Sequence, residues 1–233
     1  MSKPSCLAAA FAAAAVGLAA PTFAAREPAP PARAQAAPTE LDRFLGRLKT
    51  LDVRFRQVLV DAHGAQISRS SGTLIVERPG RFRWDVRPLG AQAGGAATGA
   101  GQLMIGDGRN VWFYDRDLQQ VTVRPVSAAL SATPAMLLSG TVDVHEHFKE
   151  SPAGRREGLE WVFVEPRDPS GADFRHALFG FEHGILERMI LEDTLGQVAT
   201  VVFRHVEVNV PISAKLLTFS PPPGVDVIGT PAR

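Results

Sequence analysis

Cysteine is nearly missing from this chain: Cys6 is the only one in 233 residues. It stands at the head of an apolar run, residues 6–20, which follows Lys3 and leads into Pro21-Thr22-Phe23-Ala24. A basic start, a short apolar stretch and small residues at its end read as a secretory signal peptide over residues 1–24, cleaved after Ala24 and too short for a permanent membrane anchor. The chain beyond it has no thiol, which excludes disulfides and thiol nucleophiles. A lipid-modified cysteine is not expected either, since it would have to follow the apolar run rather than open it. Charge of one sign is equally scarce. Removing residues 1–24 takes away Lys3 and lowers the basic side chains from 25 to 24, against 24 acidic ones. Without a positive excess to neutralise phosphates, nucleic acid is not an expected partner.

Catalytic and cofactor motifs are missing as well. There is no Gly-rich phosphate loop and no nucleophile elbow. Ser70-Ser71 lies in a strand pattern with no base signalled nearby. Of the six histidines, only His145 and His147 are close in sequence. On a strand both would point the same way, but no further ligand spacing accompanies them, so a solvated strand face is the expectation and no metal is assigned. Asp115 and Asp117 suit a hairpin connection better than a carboxylate pair, because Asp satisfies local backbone amides in turns. The expectation is a protein that is not an enzyme and has no cofactor.

What the sequence has in plenty is strand pattern. After a Pro/Ala-rich tether, residues 25–38, the rest suits a single domain, residues 39–233. Helical spacing is confined to two places. Leu41, Phe44, Leu45, Leu48 and Leu51 form one stripe, with Thr39 and Asp42 as its cap. Residues 133–140 form a second, with Thr133 as cap, Pro134 at the first position and Gly140 past the end. Elsewhere strands recur at hairpin spacing: 52–60, 65–76, 82–87, 102–105, 111–114, 120–124, 159–165, 173–181, 185–193 and 197–208. Roughly ten strands without crossover helices predict a mainly β (α+β) fold: a curved antiparallel sheet forming an incomplete barrel, covered by short helices acting as a lid. Residues 89–101, LGAQAGGAATGAG, are expected to form a mobile surface insertion.

The most informative stretch is residues 72–88, GTLIVERPGRFRWDVRP. Phe82, Trp84 and Val86 alternate with Arg81, Arg83, Asp85 and Arg87, the period of a half-buried strand. DGRNVWFYD follows at residues 107–115, then DLQQVTV at 117–123, and the end reads LTFSPPPGVDVI at 217–228. This order of motifs resembles the periplasmic outer-membrane lipoprotein carrier family, LolA. The resemblance implies a periplasmic chaperone that shields the acyl chains of lipoproteins in an apolar cavity. In that role it would take cargo from an inner-membrane ABC transporter and deliver it to an outer-membrane lipoprotein receptor, LolB. It would act as a monomer without nucleic acid. A LolB-like receptor or a lipoprotein-binding sensor of the same fold is the alternative. The absence of a cysteine after the apolar run argues against the receptor, and the absence of a further domain against the sensor.

Candidates to line the cavity are Phe55, Leu74, Val76, Phe82, Trp84, Met104, Trp112, Met136, Leu137, Leu138 and Phe203, a set of rings and flexible Met side chains suited to irregular acyl chains. Phe82 is expected near the rim. Arg78 matches the family's arginine, which the resemblance implies latches the empty state by hydrogen bonds to the lid around residues 133–140.

Overall fold

The computed structural model describes residues 37–90, 99–126, 134–141 and 143–232. The expected signal peptide, most of the tether, residues 91–98 of the Gly/Ala run and Thr133 lie outside them.

Among the described residues, twelve strands form one sheet. In chain order they are β1 (Thr50–Val60), β2 (Gln66–Glu77), β3 (Arg81–Pro88), β4 (Gln102–Asp107), β5 (Asn110–Asp115), β6 (Gln120–Pro125), β7 (Phe148–Arg156), β8 (Leu159–Pro166), β9 (Phe174–Glu182), β10 (Ile185–Asp193), β11 (Val198–Val208) and β12 (Asp226–Ile228). The helices are α1 (Glu40–Arg47), α2 (Pro134–Ser139) and α3 (Val144–His147). The sheet runs β12-β6-β5-β4-β3-β2-β1-β11-β10-β9-β8-β7, so its two ends do not pair and the barrel stays open. Curvature brings distant strands together. Leu191 on β10 bounds the same cavity as Met104 on β4, although four strands separate them in the sheet.

Two strands exceed the sequence expectation. β7, KESPAGRR after Phe148, carries Pro, Gly and charge and reads as a loop. Its place at the sheet edge explains why it tolerates Pro152, and the register slips just beyond, between Pro152 and Arg155. β12 is three residues long and pairs parallel to β6, the one departure from an antiparallel ladder.

Helix boundaries follow local hydrogen bonding. Thr39 and Asp42 form the expected capping box. α1 then stops at Leu48, which is extended, so Leu51 belongs to β1 and not to the helical stripe; it is still fully buried. α2 ends on Gly140, whose φ of 68° places it in the left-handed region. The Thr141 amide donates to Met136 O at 3.1 Å and the Gly140 amide to Leu137 O at 3.2 Å, a Schellman end. The strand expected at His145 and His147 is a helical turn instead. The Asp143 carboxylate accepts from the amides of His145 and Glu146 and so nucleates α3, which turns the two imidazoles to different sides.

The core lies on the concave face. α1 contributes Leu41, Phe44 and Leu45, and α2 contributes Ala135, Met136, Leu137 and Leu138, all packed with the inward residues of the strands.

Candidate functional site

The concave face has two unlike halves. Beneath the helices, Leu74 and Val76 of β2, Phe82 of β3 and Met136, Leu137 and Leu138 of α2 are at most 1% exposed. Phe55 and Phe203, directly opposed on β1 and β11, are 2% exposed. Phe82 is therefore wholly buried rather than near a rim. Gly106 makes that possible: the Phe82 ring lies against it where any Cβ would stand.

The other half is open. A cavity of about 390 Å³ is bounded by Trp84 and Val86 of β3, Met104 of β4, Phe113 of β5, Thr122 of β6 and Leu191 of β10, with Gln102, Asp115 and Gln120 beside them. Register explains the grouping, since Trp84 pairs with Met104, Met104 with Phe113, and Phe113 with Thr122. The Trp84 ring meets Phe55 edge-on at 5.8 Å, which joins the cavity wall to the packed half. Trp84 Nε1–H is buried without a hydrogen-bond partner among the described residues. An unmet donor of that kind costs about 1–3 kcal/mol, so this wall is less settled than the core beside it.

Trp112 does not belong to the concavity. It pairs with Ile105 and Val123, on the opposite face of the sheet from Met104 and Phe113. Its indole donates to Asp107 Oδ2 at 2.8 Å and its ring meets Phe219 at 5.6 Å. Burial disfavours the Asp107 carboxylate, but the Trp112 indole and the Asn110 and Arg109 amides outweigh it and hold its pKa below the usual value. Ile105, Val121, Val123 and Leu217 are buried but lie outside the main core cluster, so the chain end forms a second apolar layer behind the sheet. The strand pattern shows two apolar faces at β5, and only the pairing register tells which faces the cavity. By that register Phe113 takes the place of Trp112, and Leu191 of β10 bounds the cavity from across the curved sheet; the sequence singled out neither.

Arg78 sits at the junction of lid and sheet. Its Nη1 donates to Leu45 O of α1 at 3.0 Å. The guanidinium also lies over Gly140, where a Cβ would stand 2.8 Å from Nε and Nη2. Among the described residues it makes no hydrogen bond to α2, so the expected partner is corrected: the bond goes to the end of α1. The link to α2 is made by the backbone, where the Gly80 amide donates to Ser139 O at 2.8 Å. Burial lowers the Arg78 pKa from its ordinary value without discharging it.

Outside the cavity, Asp85 anchors the β3 outer face by accepting from Arg116 at 2.9 Å and Arg87 at 3.0 Å. Burial alone would raise its pKa; hydrogen bonding from Arg116 and the charges of Arg116 and Arg87 more than reverse that and lower it. Asp115 accepts the amides of Asp117 and Leu118, each at 3.0 Å, as the hairpin reading requires.

Residues 46–220 match the family described as "Outer membrane lipoprotein carrier protein LolA". A protein of Dechloromonas aromatica named outer-membrane lipoprotein carrier protein is 37% identical over 82% of this chain and 86% of its own length. Its namesake in Methylococcus capsulatus is 36% identical over 81% of this chain and 86% of its own, and that of Nitrosospira multiformis 38% over 81% and 86%. Among solved structures, a LolA superfamily protein of Nitrosomonas europaea is 11% identical, with a TM-score of 0.43 over 77% of this chain and 96% of its own. This chain belongs to the outer membrane lipoprotein carrier family.

Proposed function

We propose that the protein is a non-catalytic periplasmic carrier that shields the acyl chains of lipoproteins between membranes. The observation that carries the reading is the cavity on the concave face, apolar at Trp84, Val86, Met104, Phe113 and Leu191 and continuous with a helix-covered core. Its 390 Å³ falls within the roughly 300–1,000 Å³ of ligand pockets. Removing one acyl chain from a bilayer costs on the order of 10 kcal/mol, at about 0.8 kcal/mol per CH₂. A soluble shuttle must match that with apolar burial that it can later withdraw.

In this reading residues 1–24 direct export and are removed, residues 25–38 are a tether, and residues 39–233 carry cargo. The inner-membrane ABC transporter loads the chain and an outer-membrane receptor, LolB, empties it. Loading starts at the open half. Longer or additional chains displace α1 and α2 from the packed half, where Phe55, Leu74, Val76, Phe82, Met136, Leu137, Leu138 and Phe203 then become contact residues. Arg78 favours return of the cover, because its bond to Leu45 O exists only with α1 in place.

The test is site-specific photocrosslinking with a photoreactive phenylalanine analogue and a triacylated lipopeptide. Position 104 should crosslink strongly and position 112, behind the sheet, hardly at all. Equal crosslinking at both positions, or none at 104, would sink the assignment.

A further inference from the structure

Side chains from three elements converge where α1, α3 and β7 meet. Asp42, His145 and Glu150 each offer a ligand atom, and these atoms lie within 4.8 Å of one another. Asp42 Oδ1 and His145 Nε2 are 3.1 Å apart. Ligands about 2.0–2.1 Å from a tetrahedral zinc stand roughly 3.3–3.4 Å from each other, so this pair already has nearly that spacing. A ligand atom of Glu150 lies within 4.8 Å of both.

The remaining carboxylate oxygens are held by one residue. The Thr39 amide donates to Asp42 Oδ2 at 2.9 Å, and the Thr39 hydroxyl donates to Glu150 Oε2 at 2.7 Å. Thr39 thus orients both carboxylates and leaves one oxygen of each uncommitted to it. Glu150 Oε1 is buried and has no hydrogen-bond partner among the described residues. A buried carboxylate oxygen without a partner is unfavourable, the more so beside a second carboxylate. A divalent cation satisfies the orphan oxygen and the like-charge contact together.

We propose that Asp42, His145 and Glu150 form a divalent-cation site, suited best to zinc, that ties α1 to α3 and to the edge strand β7. One imidazole and two carboxylates are ligands zinc accepts, and solvent supplies the fourth position. The His145 side chain is 70% exposed, which gives the ion a path in. The site lies on the helix whose Leu45 carbonyl receives Arg78, so the ion fastens that helix at a second point.

The untagged protein, stripped with a chelator, would be titrated with zinc chloride by isothermal calorimetry and melted with and without the metal. One zinc per chain and a raised melting temperature are expected. His145→Ala and Glu150→Gln should each weaken binding at least about tenfold, a ligand mattering no less than its supporting shell, and should leave the apo far-UV spectrum unchanged. Co²⁺ in the same site should give the intense visible bands of a tetrahedral ion, lost in both variants. Absence of zinc binding overturns the proposal. So does binding of wild-type strength in either variant, which would place the ion elsewhere.

Discussion

The two halves of the concave face meet on strand β3 yet differ in what covers them. Beneath α1 and α2 the rings and aliphatic side chains are dry and filled, with Phe82 and Leu138 at 0% exposure. A few residues along the same strand, Trp84 and Val86 border an open cavity instead. The difference shows that apolar character alone does not make a binding site. Where a helix supplies complementary side chains the surface becomes core, and where none does it stays available. In the proposed role each half has a use: the filled one keeps the empty protein folded and the open one admits the first methylenes.

The largest expected effect lies in the filled half. Phe82→Ala should cost about 3–5 kcal/mol, the range for a large buried ring with little room to relax, read by denaturant unfolding. A loss below about 1 kcal/mol would mean that the packed half already behaves as a cavity. Phe82→Glu should fail to fold stably, because no solvent reaches that position to hydrate a charge. Leu137→Ala should cost about 2–5 kcal/mol. The same truncation across the boundary sharpens the contrast. Phe113→Ala should cost under about 1.5 kcal/mol, since atoms facing an open cavity have fewer packing partners to lose. It should nevertheless weaken binding of a bis-anilinonaphthalene dye more than Leu137→Ala does.

The junction comes next. Arg78→Leu removes a charged donor to Leu45 O, worth at most about 1.5–3 kcal/mol and less here because the guanidinium is only half-buried. Amide exchange at the end of α1 should speed up while the β4–β5 amides stay unchanged. Uniform acceleration would make Arg78 a general stability residue rather than a clasp between the halves. If the proposed function holds, cargo should still enter such a variant but leave it more slowly for the proposed receptor.

The smallest effect is in pH. Asp85 and Asp107 have folded pKa values below their ordinary 3.8. Their contribution is complete above 3.8 and is lost as pH falls through the folded values. In the metal-free protein Glu150 is shifted upward from 4.5, by burial first and by Asp42 as well, against the opposing Thr39 hydrogen bond. Its contribution is complete below 4.5 and is lost as pH rises through its folded value. Asp85→Asn should therefore destabilise at neutral pH and flatten the acid limb of stability, and Glu150→Gln should flatten the opposite limb. An unchanged acid limb in Asp85→Asn would remove its ion pairs from the account.

The motifs at residues 72–88 and 107–123 and the period-2 alternation carry enough information by themselves to point to the family and to the open, mainly β architecture. Thr39 with Asp42, and Pro134 with Gly140, marked the helix ends, because capping is local chemistry between residues a few positions apart. Two things were not legible. β7 looked like a loop because an edge strand is excused the apolar pattern of a central one. Trp112 looked like a cavity residue because alternation gives two faces without saying which is inside. That choice depends on the pairing of β4 with β5 and on Phe219, 107 positions further along, covering the outer face. The sequence by itself determined which residues are apolar, where the central strands run and where the two capped helices begin. Only the tertiary structure decided which apolar residues become core and which line an opening, because that depends on whether a distant segment arrives to cover them.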